Sequence, residues 1–287
     1  MRRLIRGCIR TFSLGFSNLD SWIHSPRTVF MLLAILLICY TDVSRDHLGI
    51  RNALMASGSS VSSVSSAELV FLESFRGFNF QFSTMTFLVM MSTFPKRYTY
   101  QEWCMIRSSR TKWFHGQILY ALMISLFYIL LLTAFTFLFS GLQGEKAEGW
   151  SDFFLSGEVS YTLIWIPEEF FARTTPQTAT LLLYVPLLLC WFTICMILMA
   201  FNLFDRPGAG LATIALLLIS NYIFVQADIP FHPLRYACGS YFYDTEDVVG
   251  ETWKMLRFYL LTIGFLYLIM RIRLQRMDIT AAETQKQ

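Results

Sequence analysis

The sequence is poor in charged residues, which occupy only 15% of its 287 positions, and its mean hydropathy is +0.48. Soluble domains carry about 25% charged residues, so this chain has too little polar surface to cover a water-soluble globule of its size. We therefore expect an all-α integral membrane protein. The net charge of +3 is modest and gives no reason to expect a nucleic acid as a partner.

Motifs of catalysis and metal binding are also missing. The sequence contains no G-x-x-x-x-G-K-[ST], H-E-x-x-H, G-x-S-x-G or C-x-x-C, which excludes the common phosphate-binding, zinc-protease, serine-hydrolase and redox motifs. The four histidines fall on both sides of the predicted membrane, and the six cysteines are expected to be small buried hydrophobes. We expect neither an enzyme nor a metal or cofactor on this chain.

Six runs of the sequence are apolar and long enough, or nearly so, to cross a membrane core, which takes about 20 helical residues. The predicted spans are residues 26–43, 68–94, 114–140, 178–201, 209–226 and 255–270. Pro186 lies inside the fourth span, where we expect a kink without a break. Residues 4–23 mix apolar and basic residues at helical spacing and predict an N-terminal interfacial helix. Residues 1–287 form a single transmembrane domain.

Basic residues alternate between the loops and predict the orientation. With Arg27 at the start of span one counted among them, the segment before span one, the loops after spans two and four, and the segment after span six hold 15 of the 23 Lys and Arg residues but only 5 of the 20 acidic residues. Because cytoplasmic loops are rich in Lys and Arg, we expect both termini in the cytoplasm and a multi-pass protein of the cell membrane. The alternation at every second loop also favours six spans.

The predicted outer side holds two further features. Loop 141–177 is acidic and rich in aromatic residues, which predicts a short interfacial helix, and loop 44–66 ends in a polar stretch. Glu73 and Arg76 are three positions apart near the start of span two and could pair on one helix face inside the membrane. The alternative is a pair at the outer interface that reaches water.

The cytoplasmic segment 96–113, between spans two and three, is basic and aromatic and predicts a short helix. Its rings are expected at the level of the lipid headgroups and its cations in the cytoplasm. The rings are Trp103, Trp113 and the following Phe114, and the cations are Arg107, Arg110 and Lys112. These charges either follow the positive-inside rule and bind anionic membrane lipids, or they belong to a helix that docks into a partner protein.

This segment resembles the membrane-spanning subunits of bacterial ATP-binding-cassette exporters. The run from Met105 to Tyr120, MIRSSRTKWFHGQILY, is similar to a stretch in which an Arg-x-(small)-Arg-x-x-Trp-x-x-Gly pattern leads into the third span. The short basic segment Arg273–Ile279 after the last span also resembles those permeases. In layout the resemblance extends over the whole chain, and the long aromatic loop after span three departs from it.

The resemblance implies a type V, G-subfamily-like exporter fold in which two permease subunits, identical or homologous, form the pathway. A separate ATPase subunit would bind ATP and Mg and carry out hydrolysis, and segment 96–113 would be the coupling helix. The residues implied at the ATPase contact are Trp103, Arg107, Arg110, Lys112 and Trp113. Aromatic and aliphatic linings would suit lipids, hydrophobic peptides or drugs as cargo.

Three other classes of protein share parts of this pattern. A non-transporting membrane protein, such as an immunity, sensor or assembly factor, would share every feature of the composition. Contact between the basic loop and an ATPase distinguishes it from a permease. A membrane-embedded enzyme is disfavoured by the missing catalytic motifs. An ion-coupled carrier is disfavoured because the span interiors hold almost no ionisable groups and the sequence shows no internal repeat.

Overall fold

The computed structural model describes residues 13, 15–20, 23–56, 65–75, 77–92, 94, 110–143, 149–155, 168–227, 234, 237 and 248–276. These residues form helices and no strand, as the all-α prediction requires. The helices are α1 (Pro26–Ala56), α2 (Ser66–Phe75), α3 (Gly77–Met91), α4 (Arg110–Gln143), α5 (Asp152–Leu155), α6 (Glu168–Arg173), α7 (Pro176–Leu203), α8 (Pro207–Gln226) and α9 (Val248–Arg276). Residues 15–20 are also helical.

Four of these helices are long and apolar enough to cross a membrane. Their segments are Thr28–Asn52, Arg110–Gln143, Pro176–Leu203 and Gly250–Arg276. Each of them overlaps one of the predicted spans one, three, four and six. Predicted spans two and five overlap shorter apolar helices, whose segments are Phe80–Met91 and Pro207–Asn221.

Helix α7 is the most buried of the long helices and begins with a strong local signal. Thr175 caps it, Pro176 occupies its first turn, and the side chains of Thr175 and Thr178 form a capping box. The helix continues through Pro186 to Leu203. The expectation that this proline would not break the span is confirmed.

Helix α1 continues to Ala56, well past its predicted boundary at residue 43. Its last turns are polar, and they are stabilised by charge pairs within the helix. An Arg45 nitrogen lies 3.1 Å from Asp42 Oδ1, and another lies 3.7 Å from Asp46 Oδ1. The first part of the predicted outer loop 44–66 is therefore helical.

Within predicted span two the structure describes two helices, α2 and α3, on either side of residue 76. Helix α2 packs against α1, α4 and α7, and every residue from Ala67 to Leu72 is buried. A helix that is enclosed by protein is as apolar as a helix that faces lipid. Hydropathy alone therefore does not distinguish a buried helix from a membrane span.

Two pairs of long helices run parallel. Helix α1 pairs with α4, and α7 pairs with α9. In each pair, a first contact between the two helices is followed by a second contact that lies later in the sequence of both helices. The contacts are Tyr40–Phe139 and Ser44–Gln143 for α1 with α4, and Cys190–Tyr259 and Leu203–Arg273 for α7 with α9.

Helix α4 runs antiparallel to both α3 and α7. Residues that lie later in α3 or α7 contact residues that lie earlier in α4. The contacts are Phe87–Tyr128 and Phe94–Tyr120 for α3 with α4, and Trp191–Tyr128 and Cys195–Ser125 for α7 with α4. The directions of α3, α4 and α7 therefore alternate along the chain.

The middle of the bundle is filled by three fully buried rings from three helices. Phe87 stacks on Trp191 with ring centroids 5.5 Å apart, and Tyr128 meets the Trp191 ring edge-on at 4.7 Å. Their polar atoms are satisfied internally, since Tyr128 Oη donates to Ser83 O at 2.7 Å and Trp191 Nε1 donates to Thr84 Oγ1 at 3.1 Å. This layer holds α3, α4 and α7 together as one core.

Candidate functional site at the basic end of the bundle

We call the basic end the end of the bundle at which α4 begins and α7 and α9 end. Arg110 and Lys112 are half-exposed in the first turn of α4. Arg206 is exposed in the turn between α7 and α8, and Arg271 and Arg276 are exposed at the end of α9. Clustered cations create a positive potential that attracts acidic protein surfaces and anionic lipid headgroups.

Two buried rings fix the start of α4 inside the bundle. Trp113 is 3% exposed and Phe114 is 1% exposed, and the Phe114 ring lies 5.5 Å from the ring of Tyr267 in α9. These rings therefore lie within the protein, which differs from their expected position at the lipid headgroups. The cations of Arg110 and Lys112 belong to the same helical turn, which these buried rings hold in place.

A hydrogen bond between His115 and Tyr267 joins the start of α4 to α9. His115 Nδ1 lies 2.8 Å from Thr111 O, and His115 Nε2 lies 3.1 Å from Tyr267 Oη. A carbonyl oxygen only accepts, so Nδ1 carries the proton and donates to Thr111 O. In the neutral ring, Nε2 then accepts from the Tyr267 hydroxyl. The bond fixes the depth of α4 relative to α9.

One arginine of α9 clamps the turn between α7 and α8. Arg273 Nε donates to Leu203 O at 3.2 Å, and its guanidinium lies 5.3 Å from the centroid of the Phe204 ring. A second nitrogen of Arg273 is 3.9 Å from Asp205 Oδ2. Asp205 has a φ of 59°, a left-handed conformation that Asp tolerates better than most residues. The arginine thereby satisfies a C-terminal carbonyl of α7 and ties this turn to α9.

A fourth segment joins the basic end through the residues after α3. Asn202 Nδ2 of α7 donates to Phe94 O at 2.8 Å, and the Phe94 ring lies 5.7 Å from the ring of Tyr120 in α4. The end of α3, the start of α4, the α7–α8 turn and the end of α9 are therefore bonded to one another.

The predicted contact residues are described only in part. Arg110, Lys112 and Trp113 lie together in the first turn of α4, whereas Trp103 and Arg107 lie outside the described residues. Glu73 belongs to α2, but its side chain, like all of Arg76, lies outside the described part. The predicted Glu73–Arg76 pair is therefore not described.

Sequence reasoning missed the roles of Arg273, Tyr267 and Glu68. An arginine in the last turn of a helix is a known partner for terminal carbonyls, which pointed to Arg273. Ser65 and Glu68 form the S-x-x-E signature of a capping box, which marked the start of a helix at Ser66. No local signal pointed to Tyr267, because its partner His115 is distant in sequence.

The described residues include no group of three or more His, Cys, Asp or Glu side chains that could hold a metal ion. Three cysteines, Cys39, Cys190 and Cys195, are free and buried in apolar helices, as expected of small hydrophobes. The site's chemistry within these ranges is that of charge and hydrogen bonding.

Comparison of this chain with protein-family models, with curated proteins and with solved structures finds no significant match. The case for a function therefore depends on the charges and contacts of the basic end and on the helical bundle that carries it.

Proposed function

We propose that this chain is the permease subunit of an ATP-binding-cassette exporter and that a separate ATPase subunit docks at the basic end. The observation that carries the proposal is the first turn of α4. There the half-exposed Arg110 and Lys112 stand next to Trp113, which is packed inside the bundle. A partner that binds these cations would move the buried core with them and not only a surface loop.

Six membrane crossings are supported by the directions of the helices. In the described contacts, α3, α4, α7 and α9 have the directions that alternating spans require. The short turn between α7 and α8 supports one further reversal of the chain. Helix α8 has 20 residues, a length of about 30 Å that matches the membrane core. In this arrangement α2 and α3 together serve as the second crossing.

An N-terminal interfacial helix is supported by residues 15–20. A side-chain carbon placed on Gly15 would lie 3.3 Å from Leu119 of α4, and Leu19 packs on the core. Phe16, next to Gly15, is 58% exposed. Such a helix, with one face against the bundle and one apolar ring outward, suits the inner surface of the membrane and agrees with cytoplasmic termini.

The pathway for cargo is proposed to lie between two permease subunits. Rings fill the bundle at its middle, where Phe87, Tyr128 and Trp191 are fully buried, and again at the basic end, where Phe94 and Phe114 are buried. A passage through one chain would require separating these layers. A passage between two copies, or between this chain and a homologous one, leaves them intact.

ATP and Mg are assigned to the partner because this sequence lacks a phosphate-binding loop. The permease would contribute movement and the ATPase the chemical step. The contact surface on this chain would include Arg110 and Lys112, together with Trp103 and Arg107 from the preceding segment.

The proposal is tested by purifying the tagged full-length chain from its native host in mild detergent and identifying the bound proteins by mass spectrometry. We expect a stoichiometric ATPase subunit. Charge reversal with Arg107→Glu and Arg110→Glu should reduce its recovery about tenfold or more, because close charge pairs at an interface have coupling energies of about 1.5–7 kcal/mol.

The matched control reverses two exposed charges at the opposite end of the bundle, Arg51→Glu with Arg173→Glu. This control should leave the recovery unchanged. Absence of any ATPase from the intact chain would contradict the permease function and favour a non-transporting membrane protein. Equal losses in both double variants would contradict docking at the basic end.

A further inference from the structure

The end of the bundle opposite the basic end is covered by two short segments, 149–155 and 168–175, which we call the cap. Trp150 joins them, because its Nε1 donates to Thr174 O at 2.7 Å and its ring meets that of Phe171 edge-on at 4.9 Å. The cap contains α5 and α6. The rings of Phe154, Phe170 and Phe171 are buried, and that of Trp150 is partly buried.

The body of the cap rests on one ring of α2. Phe71 is fully buried and lies 5.1 Å from Trp150, 6.1 Å from Phe170 and 6.4 Å from Phe171, measured between ring centroids. Such contacts exclude water and contribute apolar burial, but each ring pair alone adds only about 0.5–1.5 kcal/mol beyond that burial. They hold the cap against α2 without fixing it to one position along the helix.

A single carboxylate supplies the fixed attachment. Glu68 of α2 is 0% exposed, and each of its oxygens accepts a different backbone N–H. Oε2 accepts from Ser65 N at 2.9 Å, which caps α2, and Oε1 accepts from Ser151 N of the cap. Hydrogen bonds to a charged group are roughly twice as strong as neutral ones, and burial keeps water from replacing either N–H.

The helices of the cap are too short to stand alone. Helix α5 has four residues and α6 has six, whereas isolated helices below about 12 residues are marginal in water. Their order comes from their attachments to α2, to each other and, through Thr175, to the start of α7. Loss of the attachment from Glu68 to Ser151 would therefore loosen the two segments together.

We propose that Glu68 latches the cap onto α2 and that release of this latch opens the cap end of the bundle as one unit. The carboxylate bridges a helix that is enclosed by α1, α4 and α7 and a surface segment that covers it. Opening would expose the start of α2 while the central layer of rings stays packed. Only contacts within this chain enter the proposal, so it does not rest on the permease function.

The test uses the purified full-length chain in detergent, with Cys8, Cys104 and Cys238 replaced by Ser and a reporter introduced by Ala67→Cys. Ala67 is 8% exposed beside Glu68, and the remaining native thiols, Cys39, Cys190 and Cys195, are buried. The rate of modification by a polar maleimide is measured with Glu68 present and with Glu68→Gln. Gln keeps the size, but it carries no charge and its amide group cannot accept from both N–H groups.

We expect the Ala67→Cys thiol to react at least about tenfold faster in the Glu68→Gln chain, the factor expected for loss of one hydrogen bond to a charged group. The control Glu251→Gln removes a carboxylate that pairs with Lys254 within α9 and should not change the rate. A second reporter, Leu155→Cys, at a position that is 49% exposed, should react quickly in every chain.

An unchanged rate at Ala67→Cys would overturn the latch. Faster modification of the buried native thiols as well would also overturn it, because Glu68 would then hold the whole fold and not the cap. Faster reaction confined to Ala67→Cys would support the cap as a unit that opens.

Discussion

At the basic end, the cations of Arg206, Arg271 and Arg276 are exposed. At the cap end, the carboxylates of Asp46 and Glu68 are fully buried. The buried groups at the cap end bond to the protein itself: Arg45 faces Asp46, and two backbone N–H groups face Glu68. The buried carboxylates at the cap end are thus engaged within the chain, whereas the exposed cations at the basic end are the ones assigned to a partner in the proposed function.

The two ends also differ in the kind of contact that holds their segments together. The cap end is held by a cluster of rings around Phe71, whereas the surface of the basic end is held by separate hydrogen bonds from His115, Asn202 and Arg273. A clustered attachment fails when its central member is removed. A distributed attachment loses a little with each member, which allows small movements without disassembly.

The largest effect is expected from removing the centre of the cap cluster. Phe71→Ala should lower the free energy of unfolding by about 3–5 kcal/mol, the usual cost of deleting a fully buried ring. Thermal unfolding in detergent measures this loss. The control Phe265→Ala truncates a ring of α9 that is 64% exposed and should change stability by less than about 0.5 kcal/mol. Similar losses in both variants would show that the cap cluster does not hold this end.

A smaller effect is expected from the clamp at the basic end. Arg273→Ala removes the hydrogen bond to Leu203 O and the contact with Phe204, and it should cost about 1 kcal/mol because the arginine is half-exposed. Arg276→Ala, three residues later on the same helix and exposed, is the control and should be neutral. If the two alanine variants unfold alike, Arg273 does not clamp the turn.

The smallest effect is expected from one hydroxyl group. Tyr267→Phe keeps the ring against Phe114 but removes the hydrogen bond to His115, at a cost of about 0.5–1 kcal/mol. Tyr40→Phe is the matched control, since the Tyr40 ring is half-exposed and contacts only the edge of Phe139 among the described rings. If Tyr40→Phe changes the stability as much as Tyr267→Phe does, the hydrogen bond between Tyr267 and His115 does not stabilise the basic end.

The apolar runs in the sequence predicted the long helices well. The bounds of α7 and α8 lie within two residues of the predicted 178–201 and 209–226, because turn signals such as Thr175-Pro176 and Asp205-Arg206-Pro207 stand at their ends. Helices α1 and α9 extend beyond the predicted spans 26–43 and 255–270. Their polar turns are stabilised by charge pairs such as Arg45–Asp42 and Lys254–Glu251.

The enclosure of α2 and the cap could not be read from hydropathy. The residues of α2 are apolar because the helix is enclosed by protein, and enclosed and lipid-facing segments have the same composition. The latch at Glu68 depends on Ser151, 83 residues later in the chain. Only the tertiary fold brings these two residues together, although the S-x-x-E signature marked the start of the helix.

The most direct test of the proposed function is site-specific photo-crosslinking in living cells of the native host. A photoreactive residue is placed at Thr111, exposed between Arg110 and Lys112, and for comparison at Asn52, exposed at the end of α1. A permease docked through its basic end predicts a covalent adduct with an ATPase subunit from position 111 and none from position 52. An intact chain that forms no ATPase adduct at position 111, or forms it equally from both positions, would contradict the account.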